Sequence, residues 1–161
     1  MHLSRRALLA GLAAMPFSAP ALSEPLSTFL DSRQLNTVAA MSETFIPRTD
    51  TPGARDAGVH HYIDAILAAS PEPARGHFLE GLVLLDRHCL EKHRAPFAEL
   101  QTSQQNALLS AILTNPALPS PALHQFVAQS KLFVARIYYA TEAGQAELNK
   151  GGRVPAKYYS D

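Results

Sequence analysis

Tryptophan is absent from the 161 residues, and cysteine occurs once, as Cys89. One thiol cannot close an internal disulfide, so packing must hold the fold. The same count excludes a thiolate zinc cage and a C-x-x-C-H haem attachment site. An excess of either charge is also missing: 14 Lys and Arg balance 14 Asp and Glu. No basic run gives an electrostatic footprint for nucleic acid or a hold on an anionic membrane surface. Nor is there a G-x-G-x-x-G turn, a G-x-x-x-x-G-K phosphate loop or a G-x-S-x-G nucleophile turn. The chain therefore encodes no recognisable site for a hydride-accepting cofactor, and the expectation is that it binds none and has no catalytic site. What it does have is apolar material, at 47% of residues, which is enough for a core and too much for a disordered chain.

The first residues read as an address. Met1-His2-Leu3-Ser4-Arg5-Arg6 leads into an apolar run through Ala14, followed by Pro16 and small residues. A charged start, a short apolar middle and a small-residue end make a secretory signal. The run is about half the ~20 residues a membrane span needs, so no direct span is expected. Ala19-Pro20-Ala21 fits an A-x-A cleavage site, and Ala21-Leu22-Ser23 is a second candidate. The division is thus residues 1–21 as signal, cleaved after Ala21 or Ser23, and 22–161 as one helical domain. Arg5 and Arg6 within Ser4-Arg5-Arg6-Ala7-Leu8-Leu9 make the signal similar to the twin-arginine type, whose route carries folded proteins to the periplasm. An ordinary secretory signal beginning with two arginines is the competing reading.

Beyond the signal, apolar residues recur at helical spacing between proline and glycine breaks. Asp31 or Ser32 caps a first helix marked by Leu35, Val38, Met41/Ser42 and Phe45, and Pro47 stops it. A loop over 47–56 contains the turn signal Pro52-Gly53. A second helix is expected over about 57–69, with Val59, Tyr62, Ile63, Ile66 and Leu67 on one side and Asp56 as its cap. A third, about 74–93, carries Phe78, Leu82, Leu85 and Cys89, with Leu79, Val83 and Leu90 widening the stripe. A fourth opens on a Thr102–Gln105 capping box and runs to about Leu113. A fifth covers about 121–140 with Leu123, Phe126/Val127, Phe133/Val134 and Ile137, before a short helical turn over 143–148. No alternating strand pattern appears. The fold class expected is all-α, a compact bundle of about five helices.

His60, His61, His77, His88, His93 and His124 could in principle serve a metal. None follows a glutamate by three residues, the pairing helical bundles use for di-metal sites. His88 and His93 splay by about 140° around a helix of 3.6 residues per turn. Solvated or hydrogen-bonded histidine is the plainer reading, with metal left only to tertiary clustering. Cys89 lies on an apolar stripe, where a buried, inert thiol competes with a bridge to another chain.

Two stretches carry a resemblance. Glu43-Thr44-Phe45-Ile46-Pro47-Arg48-Thr49-Asp50-Thr51-Pro52-Gly53-Ala54, continuing Asp56-Ala57-Gly58-Val59 and Tyr62-Ile63-Asp64, resembles the gluconate 2-dehydrogenase subunit 3 family. So does Tyr138-Tyr139-Ala140-Thr141-Glu142-Ala143-Gly144, with Leu148 and Pro155 after it, although Ile137 and Ala140 depart from the family's G-Y-Y-T-S-E. Phe97-Ala98-Glu99-Leu100 with Gln104-Gln105 fits between them. The resemblance spans about residues 29–159, and its specific part is the first loop.

The resemblance implies an accessory role. Members are small subunits of membrane-associated complexes in which a large subunit holds FAD and oxidises a sugar, sugar acid or polyol, and a cytochrome c subunit with haem c takes the electrons. The small subunit often carries the export signal for the folded flavoprotein. Expected partners are thus the FAD-containing large subunit, the cytochrome c subunit indirectly and the twin-arginine translocase. Within the matched loop, Thr51-Pro52-Gly53 reads as a turn with Gly53 at positive φ, and Asp50 as a cap for backbone N–H groups. The alternative is that Arg48, Asp50, Pro52 and Arg55 dock on the flavoprotein. Tyr138, Tyr139, Tyr158 and Tyr159 are further contact candidates, because tyrosine gives large area at small entropic loss. Leu132 and Tyr139, off the main stripe of the last long helix, suggest a second contact face. A different class of reading remains: an independent periplasmic helical bundle that binds a metal or small ligand.

Overall fold

Asp31 opens the first helix. Its side chain accepts the Gln34 N–H at 2.8 Å, and the Gln34 side chain accepts the Asp31 N–H at 3.0 Å, closing a capping box ahead of α1 (Ser32–Phe45). The computed structural model describes residues 29–117 and 120–150. The signal residues Arg5 and Arg6, both cleavage sites, Pro155, Tyr158 and Tyr159 lie outside them. Among the described residues the architecture is all helical: α1, α2 (Val59–Ala68), α3 (Glu72–His93), a 3-10 turn (Phe97–Glu99), α4 (Thr102–Thr114), α5 (Pro121–Tyr138) and α6 (Glu142–Asn149). No described helix is long and apolar enough to cross a membrane.

Helices α1 and α5 form the centre. The first packs against α2, α4, α5 and the 3-10 turn, and α5 packs against α1, α2, α3 and α4. This explains why α1 buries Thr37, Ala39 and Ala40 as well as the anticipated Val38, Met41 and Ser42: it has neighbours on several sides. Val127 and Val134 of α5 meet Ile63 of α2, Leu85 and Cys89 of α3 and Leu109 of α4 in one core cluster. Each such side chain contributes about 1.5–3 kcal/mol relative to exposure. Burial, and secondarily the Asp86 carboxylate, push the Cys89 thiol up to about 12, so little reactive thiolate exists near neutral pH.

Two buried polar anchors fix the ends of this core. Asp64 of α2 is 3% exposed, and one of its oxygens accepts the N–H groups of Phe29 and Leu30 at 2.9 and 2.7 Å. The segment before α1 is thereby pinned to α2 although it belongs to no helix. The 3-10 turn is held from both sides: the Phe97 N–H donates to Asp86, and its carbonyl accepts from Gln105. Those bonds satisfy the backbone of a residue whose ring is completely buried.

Several boundaries differ from expectation for local reasons. Asp56 does not cap α2; Gly58 does, at φ +70°, and Asp56 instead pairs with Arg48. Pro73 lies inside the first turn of α3, where a missing N–H costs nothing, so that helix begins at Glu72. The α4 box is displaced by one residue: Gln104 reaches back to the Gln101 N–H at 3.0 Å, which leaves Gln105 free to turn inward. Val83 and Leu90, expected to widen the core stripe of α3, face outward at 63% and 41% exposure.

Helix α3 approaches α5 at Gly81. A Cβ there would lie 2.0 Å from the Phe126 ring. Gly81→Ala should therefore force the ring aside and destabilise the fold by about 1–3 kcal/mol, the usual cost of overpacking. Urea unfolding followed by circular dichroism measures it.

Candidate functional site

The loop between α1 and α2 is built around one carboxylate. Glu43, in the last turn of α1, accepts the Arg48 N–H at 2.8 Å on one oxygen and the Arg55 N–H at 3.0 Å on the other. An acid is disfavoured near a helix C-terminus, so its presence there calls for such a compensating partner. Between the two donors the chain runs out through Asp50 and back through Gly53. The Ala54 N–H then returns to the Ile46 carbonyl at 2.9 Å, and the Ala54 methyl is fully buried. Gly53 is required by this closeness. A Cβ would lie 2.6 Å from both Glu43 oxygens and from the Arg48 nitrogen. The expected positive φ falls at Gly58, not at Gly53. Asp50 also accepts from the Thr49 hydroxyl and pairs with Lys150.

The far end of α5 closes the loop from the other side. The Tyr138 hydroxyl donates to the Pro52 carbonyl at 2.8 Å, across 86 residues of sequence. Its ring is 1% exposed, so the expectation of Tyr138 on an outer contact face is corrected: this tyrosine is a core strut. Tyr139 stands edge-on to it, with ring centroids 5.3 Å apart, and is 40% exposed. Thr141 caps α6 by accepting the Gly144 N–H and returns its own proton to the Tyr138 carbonyl at 2.6 Å. Gly144 has to be glycine because a Cβ would overlap that carbonyl at 2.1 Å.

Helix α6 then adds a polar clasp. Thr51 donates to Glu147 at 2.6 Å, and the Lys150 ammonium lies 2.6 Å from Asp50 and 3.3 Å from Glu147. The Lys150 hydrogen bond holds the Asp50 carboxyl below its ordinary value, and Asp50 in turn raises Lys150. The Thr51 hydroxyl, then Lys150, lowers Glu147. Outward from this corner stand Arg48, paired with Asp56 at 3.3 Å, together with Pro52 and Arg55. The structure thus gathers Arg48, Asp50, Pro52, Arg55, Tyr138 and Tyr139 around one corner. The two stretches singled out in the sequence are one object in space.

A family model described as gluconate 2-dehydrogenase subunit 3 matches residues 32–151. The chain belongs to that family. No curated protein and no solved structure matches it. The subunit 3 match begins at the first residue of α1 and ends just beyond Lys150, so it takes in both halves of the corner and the clasp.

The histidines do not converge. Among the described residues no group of three or more His, Cys, Asp and Glu side chains is placed to hold a metal. His60 and His61 stack at 4.0 Å between ring centroids, and burial, with His61 and Arg55 nearby, lowers His60 to about 4. Burial also lowers His88. Glu43 was the residue that sequence reasoning passed over, and its signal was the unfavourable acid in the last turn of α1.

Tyr138→Phe should cost about 0.5–1.5 kcal/mol, the usual net contribution of one hydrogen bond. Gly53→Ala should cost more and disorder the loop, since the Cβ meets backbone and carboxylate together; unfolding curves and amide exchange over 47–58 compare the two. The clasp should also depend on pH. The lowered Asp50 and Glu147 contribute above their ordinary values of 3.8 and 4.5, and that contribution fades as pH falls through the lowered values. The raised Lys150 contributes below 10.5 and fades as pH climbs through its raised value. Amide protection in α6 should therefore hold at neutral pH and decline at both extremes, and weaken in high salt.

Proposed function

We propose that this chain is the non-catalytic small subunit of a periplasmic FAD-dependent dehydrogenase complex acting on a sugar, sugar acid or polyol. In this reading it binds the flavoprotein subunit in the cytoplasm, assists its folding or maturation, and carries it through the twin-arginine translocase. FAD and haem c belong to the partner subunits.

One observation carries the reading: the specific residues of the family stretches are spent on stiffness. Glu43, Gly53, Tyr138, Thr141 and Gly144 hold backbone against backbone. They do not converge as acid, base or nucleophile on a cavity. A rigid, exposed corner suits recognition of another protein, because little entropy is lost when it docks. Arg48, Arg55 and Tyr139 supply the charged and aromatic contact groups that interfaces favour. The arginine pair ahead of the apolar run supplies the export address.

Co-expression with the flavoprotein tests the reading. Omitting this chain, or replacing Arg5 and Arg6 by Lys, should strand the flavoprotein in the cytoplasmic fraction. Unchanged periplasmic activity in both cases rejects the escort role. Arg48→Glu with Arg55→Glu should abolish co-purification while the helical circular dichroism signal stays unchanged.

A further inference from the structure

A second surface lies away from the corner. Between α3 and α5 runs a groove of about 560 Å³. Phe78, Leu84, Phe126 and Phe133 give it an apolar lining, and Gln125 and Gln129 stand one turn apart on α5. It continues around α3, through Glu80 and Leu84, to an apolar hollow formed with Leu79 and the outward-facing Val83. Apolar grooves of this kind seat an amphipathic helix by anchors at i, i+4 and i+7.

The chain carries that pattern in its own first residues: Leu8, Leu12 and Met15, with Pro16 directly after them. The tether permits the contact. Phe29 is fixed by Asp64, and the Arg75 guanidinium lies 5.3 Å over its ring. Arg75 follows Ala74, which lines the groove. The described chain therefore begins beside one end of the groove. Residues 16–28 can span up to about 45 Å when extended, whereas the groove's stretch of α3, residues 74–84, is about 15 Å long. A tethered segment is present at an effective concentration of order mM, well above a second copy at working dilution. Charge agrees as well. Arg5 and Arg6 precede Leu8, and among the described residues Glu80 is the one carboxylate lining the groove.

We propose that the α3–α5 groove seats residues 8–15 of the chain's own leader, with Arg5 and Arg6 held towards Glu80. The docking rests on groove and sequence. Its consequence, that the export signal stays covered until another surface displaces it, rests on the export reading above.

Amide exchange on the purified full-length chain, without any partner, tests the docking. Leu8→Asp, Leu12→Asp and Met15→Asp together should speed exchange in residues 8–15, and in the groove segments 77–84 and 125–133, by about tenfold, as expected for a dissociation constant tenfold below the effective concentration. Core helices α1 and α4 should be unaffected, which separates undocking from unfolding. Equal exchange in both proteins overturns the proposal. So does protection that vanishes on dilution, which identifies a second copy as the occupant. Neither result touches the escort role, which fractionation reads independently.

Discussion

The paired hold of the Glu43 carboxylate on the Arg48 and Arg55 N–H groups is the constraint on which the corner depends. It turns the end of α1 back on itself and sets the distance at which only glycine fits at position 53. It also delivers the Pro52 carbonyl to the Tyr138 hydroxyl. A charge-assisted bond to backbone is stronger than a neutral one, and here two of them share one side chain. Removing that carboxylate would leave two backbone donors to find water, and the Gly53 approach would lose its reason.

The overall fold was legible because its punctuation is chemical. Asp31 caps, Pro47 stops, and Pro52-Gly53 turns, each through a local steric or hydrogen-bonding rule. Apolar periodicity then distinguished inward from outward faces on α5, where Val127 and Val134 are buried. It failed on α3, where Val83 and Leu90 look like core by type yet face outward. Periodicity reports which side a residue occupies, and the width of the buried face depends on how many neighbours a helix has. Helix α1, with neighbours on several sides, buries more than its stripe, and α3, with fewer, buries less.

The corner was only half legible. Its residues stood out as two unusual stretches, but nothing local says that they touch across 86 residues of sequence. Tyr138 and Tyr139 are chemically alike, and about 100° of helical rotation decides that one is a strut and the other a surface. Gly53 was assigned to conformation when its cause is contact, because a close approach is set by a distant carboxylate. Asp56 and Gln105 were assigned to caps, yet an ion pair claims the first and a buried carbonyl the second. In each case a tertiary partner outbid a local rule.

Thr51 with Glu147, and Asp50 with Lys150, join residues 96 and 100 positions apart. During synthesis the loop leaves the ribosome long before α6 does, so its closing contacts must wait until residues 147–150 have been made. Loop closure over such separations is slow compared with forming any single helix. The corner thus certifies that α6 is in place: a chain ended before it could form the earlier helices, but it would have no finished corner to offer.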